Sequence, residues 1–314
     1  MLNRFAPGVL IIATLAVGCG GEDLDSDDFD ALDDAPGLDA QSQNINGKSL
    51  NGKSLNGKSL NGTKLANPTL SGVALTNVTL TATVFSGKKG TTSISGSAFV
   101  GSVWQGTLSD GTTTSVRIDS RTALAAPNTD VYAYGVSFLS GTSWLPMCGE
   151  ATTLSIPLAG TWNYAEGVVG GGSWTASSTS FTFACRGAAI AKCVELGYKP
   201  WKTVGGTLLQ NHQVACTRLL RADYCGDGKS WTVDGTLVNL YDGKGVQADT
   251  EAWSAEADWT TTGARYISTK ADTRFKQVYG STPACFTSKL APNLVGLTTN
   301  FSTGTLLISE LSGI

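Results

Sequence analysis

Six cysteines between residues 148 and 285 restrict the folding of this chain more than any hydrophobic pattern in it. Cys148, Cys185, Cys193, Cys216, Cys225 and Cys285 form an even set, and in an oxidising compartment such a set closes into disulfides. Six thiols can pair in fifteen ways, and spacing alone does not choose among them. Four of the six fall within 185–225, so that stretch is expected to be stapled whichever pairing holds.

The compartment is legible at the other end of the chain. A seventh cysteine, Cys19, follows one basic residue, Arg4, an apolar run from Val9 to Val17, and the small residue Gly18. The run is too short for a bilayer, which takes roughly 20 apolar residues, but it suits a cleaved export signal. The layout of residues 1–19 resembles a bacterial lipoprotein signal, in which the cysteine is acylated after cleavage. It departs by holding Ala16 three residues before the cysteine, where such signals usually have Leu; Leu15 stands one further back. The resemblance implies a membrane partner through a lipid on Cys19, and Gly20 in place of Asp leans toward the outer membrane of a Gram-negative cell. An ordinary secretory signal is the competing expectation.

Residues 20–40 carry nine acids and no base, whereas residues 41–314 carry 21 bases against 16 acids. The net charge of −3 therefore describes 20–44, read as an acidic disordered tether, rather than the folded body. Asp23, Asp25 and Asp27 alternate as in a calcium loop, but Asp28 replaces its Gly and Asp34 its Glu, so no calcium site is expected.

A five-residue repeat, Asn-Gly-Lys-Ser-Leu, is written three times from Asn46 and then loosens, with apolar anchors at Ile45, Leu50, Leu55, Leu60, Leu65, Leu70, Leu75, Leu80 and Phe85. A helix would carry these anchors around its axis, and a strand would flip them from face to face at every step. The spacing resembles the pentapeptide-repeat family, which implies a quadrilateral β-coil over 45–86. Lys48, Lys53 and Lys58 occupy positions that would face the lumen, where a lysine needs a partner. Residues 63–86 are therefore expected to be ordered β structure and 44–62 frayed. Gly47 to Ser54 also matches a P-loop by accident of the repeat, without the flanking strand and helix that nucleotide binding requires.

From about residue 87 to 314 the chain reads as short strands broken by Gly, Asn and Asp-Gly turns, with helical pattern at 187–196, 208–221 and 248–259. The fold class is mainly β: a short pentad-repeat segment followed by a β-rich, disulfide-stapled domain with a small helical insert. His212 and Cys216 share a helical face, yet no Cys-x-x-Cys pair accompanies them, so neither zinc nor any cofactor is expected.

One stretch carries a specific likeness. Phe183-Ala184-Cys185-Arg186-Gly187, Ala191-Lys192-Cys193, Gly197-Tyr198-Lys199-Pro200-Trp201, Ala215-Cys216-Thr217-Arg218 and Arg221-Ala222-Asp223-Tyr224-Cys225-Gly226 resemble the ADYC domain family, named for the tetrad Ala222, Asp223, Tyr224 and Cys225. A weaker likeness runs upstream to Cys148 and downstream to Cys285. That family often has a cysteine after Gly-Ala-Arg, where this chain has Tyr266. The resemblance implies an envelope context, and because the family has no established activity it implies no mechanism. Two readings remain: a non-catalytic binding or structural module with an envelope protein or glycan as partner and no nucleic acid, or a secreted hydrolase using His212 with a carboxylate, Asp223 first among them. Glu150, Glu166 and Glu195 are isolated in sequence and suggest no glycosidase pair.

Overall fold

A computed structural model describes residues 48–50, 64–107, 113–268, 273–279 and 281–312, all within one contact unit, 35–314. Cys19, the acidic segment and the pentad residues 51–63 lie outside the described residues. The strands are β1 (Lys48–Leu50), β2 (Lys64–Leu70), β3 (Val73–Thr81), β4 (Val84–Lys89), β5 (Thr92–Ser95), β6 (Val103–Thr107), β7 (Thr113–Ala123), β8 (Tyr132–Ser140), β9 (Ser143–Pro146), β10 (Ser155–Ala159), β11 (Thr161–Trp162), β12 (Trp174–Thr175), β13 (Phe181–Cys185), β14 (Thr203–Val204), β15 (Thr207–Leu208), β16 (Thr236–Asp242), β17 (Ser254–Thr260), β18 (Gly263–Ile267) and β19 (Leu307–Leu311). The helices are α1 (Ala189–Glu195), α2 (Gln210–Arg221), α3 (Arg274–Tyr279) and α4 (Phe286–Lys289).

Strands β13, β10, β8, β7, β6 and β2 are antiparallel neighbours in that order, and β13 returns to β2 through the Phe181–Leu65 pair. Six strands thus close into a ring, which removes the exposed edges an open sheet would carry. Its aromatic filling centres on Phe85 of β4, fully buried, with the rings of Phe99, Trp104, Tyr134, Phe181 and Phe183 at 5.1–5.9 Å. Tilted and edge-on ring contacts of this kind add to the burial term.

The described pentads form an antiparallel meander, not a closed coil: β2 pairs with β3 and β3 with β4. The second residue of successive pentads is left-handed at Asn67, Gly72, Asn77 and Ala82, with φ of +49°, +75°, +52° and +52°. Gly72 and Ala82 make hairpin turns. Asn67 and Asn77 sit where the register shifts, between Ala66 and Thr69 and between Thr76 and Thr79. Each bulge inserts one unpaired residue, which cancels the flip of the odd period. Leu65, Leu75 and Phe85 consequently enter one core, with Leu70 and Leu80 packed against it. The expected boundary between repeat and body, at 86/87, falls inside β4: β2 is one of the ring strands and β4 supplies Phe85 to the ring core.

A second sheet runs β1-β16-β19-β17-β18. Between ring and sheet lie α1 and α2. Ile190 and Val194 of α1 pack on Ala133, Ile156 and Ala184 of the ring, while Ala215 and Leu219 of α2 share a core with Val238, Leu240, Trp259 and Leu307 of the sheet. The helices at 187–196 and 208–221 thus appear within a residue or two of their expected bounds. The third expected helix, 248–259, is a correction: Ser254–Thr260 is strand β17 between β19 and β18. Its Ala and Glu favour helix, but burial between two strands decides the outcome.

The six body cysteines pair as Cys148–Cys185, Cys193–Cys216 and Cys225–Cys285. The first closes the ring side, the second ties α1 to α2, and the third joins the end of α2 to the start of α4.

Candidate functional site

The tetrad begins where α2 stops. Helix α2 ends with Ala222 left-handed (φ +52°, ψ +39°), and the Asp223 amide donates back to the Arg218 carbonyl across six residues. This is the helix-ending turn usually given to glycine. Ala holds it because the groups that follow are fixed in place, beginning with Asp223.

Asp223 is buried and accepts on both oxygens. Oδ2 takes Arg218 Nη1 and the Gly228 amide at 3.0 Å, and Oδ1 takes the Asp227 amide at 3.1 Å. Arg218 reaches further, donating Nη1 to the Gly171 carbonyl at 2.6 Å and Nε to Thr261 at 3.3 Å. One turn on, Arg221 pairs with Glu166 and donates to the Gly228 carbonyl. Two loops, 165–172 and 226–228, are thereby pinned to the end of α2. They approach so closely that a Cβ on Gly171 would collide with the Asp227 carbonyl, and one on Gly172 (φ +67°) with the Arg218 guanidinium. Burial pushes the Asp223 carboxyl above its ordinary range, against the pull of Arg218.

Tyr224 points the other way, into the core below the second sheet. Its hydroxyl donates to Glu256 Oε1, and its ring lies 5.3 Å from Trp259 and 5.2 Å from Phe275. Glu256, fully buried, also accepts the Arg274 backbone amide at 3.3 Å, Arg274 Nε at 3.0 Å, Arg274 Nη2 at 2.8 Å and Ser309 Oγ at 2.8 Å. Trp259 Nε1 donates to Ser309 Oγ at 2.8 Å and completes the chain. Burial works to raise the Glu256 carboxyl, but Arg274 and the hydroxyl donors outweigh it and hold it below its ordinary value. Burial and the neighbouring carboxylate push the Tyr224 hydroxyl well above the usual tyrosine range. Cys225 then leaves the core for its bond to Cys285. In mechanical terms the four residues in turn make a turn, clamp two loops, plug a core and staple the chain.

A family model, the ADYC domain, matches residues 96–273, more than half of the chain. The chain belongs to the ADYC domain family. No curated protein and no solved structure matches it. The matched span does not contain everything the ADYC tetrad rests on: Arg274, Phe275, Cys285 and Ser309 lie beyond it. Upstream, the pentad residues Leu65, Leu75 and Phe85 complete the ring core.

His212 does not meet Asp223. It lies in the first turn of α2 and Asp223 follows the helix's end, so about 13 Å of helix axis, from His212 to Arg221 at 1.5 Å per residue, lies between them. The imidazole is 3 % exposed, stacks on Tyr198 at 6.4 Å and 9°, and sits one turn before Cys216, which is bonded to Cys193. Burial pulls its pKa below 6.5, with Asp242 opposing the shift. Cys216 and Cys225 are disulfide-bonded and present no thiolate. Glu166 and Glu195, isolated in sequence, pair with Arg221 and Arg186, and Glu150 is exposed near Cys148. Among the described residues no cluster of three His, Cys, Asp or Glu side chains forms a metal set.

Arg218 and Arg221 stand among the motif residues, whereas Glu256, Arg274 and Ser309 are the partners that local sequence pattern does not reveal. The run Gly170-Gly171-Gly172 is the one available signal, since consecutive glycines mark a place where backbone approaches backbone.

Proposed function

We propose that this ADYC domain is a non-catalytic binding or structural module, displayed at the cell envelope from a lipid on Cys19. The observation that carries the reading is the use of the tetrad: all four residues are occupied in turning, clamping or filling the fold, and three of them are buried out of reach of any substrate. The only histidine is likewise buried, on α2 against the ring of Tyr198. The signal-like run before Cys19 and the acidic stretch after it support the anchor, which would hold the body away from the membrane surface.

The test is fractionation of the full-length chain in a Gram-negative host. Cys19→Ala is expected to move the protein from the detergent-extracted membrane fraction into the soluble one. Retention of that variant in the membrane overturns the anchor. A hydrolytic activity of the purified protein that disappears in a folded His212→Ala variant overturns the non-catalytic half.

A further inference from the structure

The outer face of the meander holds a groove built from small polar side chains. Phe85 of β4 points into the ring core, so by alternation Gly87 faces inward as well, while Ser86 and Lys88 face out. A Cβ on Gly87 would lie 3.4 Å from the buried ring of Phe99, which fixes that direction. Across the ladder Ser86 opposes Ser95, Gly87 opposes Ile94 and Lys88 opposes Ser93. The middle pair is turned to the core, where Ile94 packs, and it leaves bare backbone as a floor between two polar walls. Those walls stand about 7 Å apart, two residues along a strand. Asn77, the left-handed residue at the bulge of β3, lines the groove from the next strand. Together these side chains enclose a cavity of about 370 Å³, within the range of small-ligand sites.

We infer that this groove binds an acidic sugar unit of a glycan, a uronate, whose carboxylate meets Lys88 and whose hydroxyls meet Ser86, Ser93, Ser95 and Asn77. The inference rests on the reading of the domain as a binding module and names the class of its ligand. The lining residues make the selection. One positive charge and no carboxylate line the groove, so it attracts an anion and offers a metal cation no charged ligand. A single ammonium matches one carboxylate, whereas a phosphate dianion is better matched by guanidinium forks, and no Arg lines this groove. Three hydroxyls and one amide can each donate and accept, which suits the ring of hydroxyls on a sugar. Ser95 Oγ donates to the Phe85 carbonyl at 3.2 Å and lies 3.0 Å from Ser86 Oγ. That wall is therefore held in place before a ligand arrives, which lowers the cost of binding.

The test titrates the isotope-labelled full chain with a galacturonic acid trimer and, separately, with its methyl ester, following amide chemical shifts. The acid is expected to move the amides of residues 77, 86–88 and 93–95. The ester keeps the hydroxyls and lacks the charge, and should bind about 10-fold more weakly. Lys88→Gln should weaken the acid by the same factor and leave the ester unchanged, a coupling that a merely structural role for Lys88 does not produce; Lys88→Arg should restore part of the loss. Ser93→Phe fills the groove and should abolish binding of both. Lys88 and Ser93 are exposed, so melting temperatures should stay within about 2 °C of wild type. No binding, shifts centred elsewhere, equal affinity for acid and ester, or acid binding unmoved by Lys88→Gln or Ser93→Phe would each overturn the inference. The non-catalytic reading fails on a different observation, a hydrolysis lost in His212→Ala, so the two failures are told apart.

Discussion

Tyr224→Phe removes one oxygen from the centre of the molecule and leaves its shape intact, which makes it the sharpest test of the tetrad's role. Glu256 then keeps four of its five donors: the Arg274 amide, Nε and Nη2, and Ser309 Oγ. No cavity of consequence opens, so the loss is that of a hydrogen bond to a charged acceptor, about 1.5–3 kcal/mol. On a body of this size that lowers the melting temperature by roughly 3–12 °C. The assay is urea unfolding followed by tryptophan fluorescence with the disulfides oxidised, at pH 7 and again in acid. Glu256 titrates below its ordinary 4.5 in the folded state, so its contribution is complete above 4.5 and is lost as pH falls through the lower folded value. The deficit of the variant should therefore narrow over that acid window, toward the roughly 0.5–1.5 kcal/mol of a neutral hydrogen bond. A variant within about 0.5 kcal/mol of wild type at pH 7, with an unchanged denaturant slope, would refute the placement of the hydroxyl on a buried carboxylate.

Other perturbations separate the remaining roles. Cys225→Ser opens a disulfide spanning 60 residues, and should cost about 4 kcal/mol by the loop-entropy relation, measured by the same unfolding assay. Asp223→Asn leaves the buried Arg218 guanidinium without its counter-charge and should cost about 3–5 kcal/mol, whereas Arg218→Met combined with Asp223→Asn should recover part of the loss in a double-mutant cycle. His212→Phe tests the buried imidazole. Because the folded pKa lies below 6.5, the unfolded chain binds the extra proton first, and wild-type stability should fall as pH drops below 6.5. In the phenylalanine variant that slope should vanish from a pH series of unfolding curves.

The parts of this fold that follow from local pattern were legible in the sequence. The apolar spacing of Ile190, Cys193 and Val194, ended by Gly197 and Pro200, marks α1, and the even cysteine set marks the staples. The failure at 248–259 has a specific cause. Ala252, Glu256 and Trp259 fall on helical spacing, but a register shift between Ala255 and Ala257 turns Glu256 inward to meet Arg274 in a strand. A bulge leaves no trace in hydrophobic periodicity. The tetrad's partners were hidden for a related reason: Tyr224 lies in the turn after α2, and Glu256, Arg274 and Ser309 come from β17, α3 and β19, and only the folded topology brings them together. The pairing of Cys225 with Cys285, 60 residues away, was equally beyond spacing.

The meander counts in tens although its sequence counts in fives. Left-handed residues at 67, 72, 77 and 82 alternate between bulge and turn, so neighbouring pentads are not interchangeable parts. Excising a single pentad would ask a bulge residue to close a hairpin, and would send the next strand back in the wrong direction along the sheet. Excising two would restore the alternation of bulge and turn but remove one strand, so the chain beyond it would run the opposite way; excising four, two strands and their turns, restores both phase and direction. The asparagines carry the same mark: Asn67 and Asn77 stand at the bulges, Gly72 and Ala82 at the turns. The pentad pair is thus one strand with its turn, and a change in length that leaves the rest of the sheet running as it does comes in steps of four pentads.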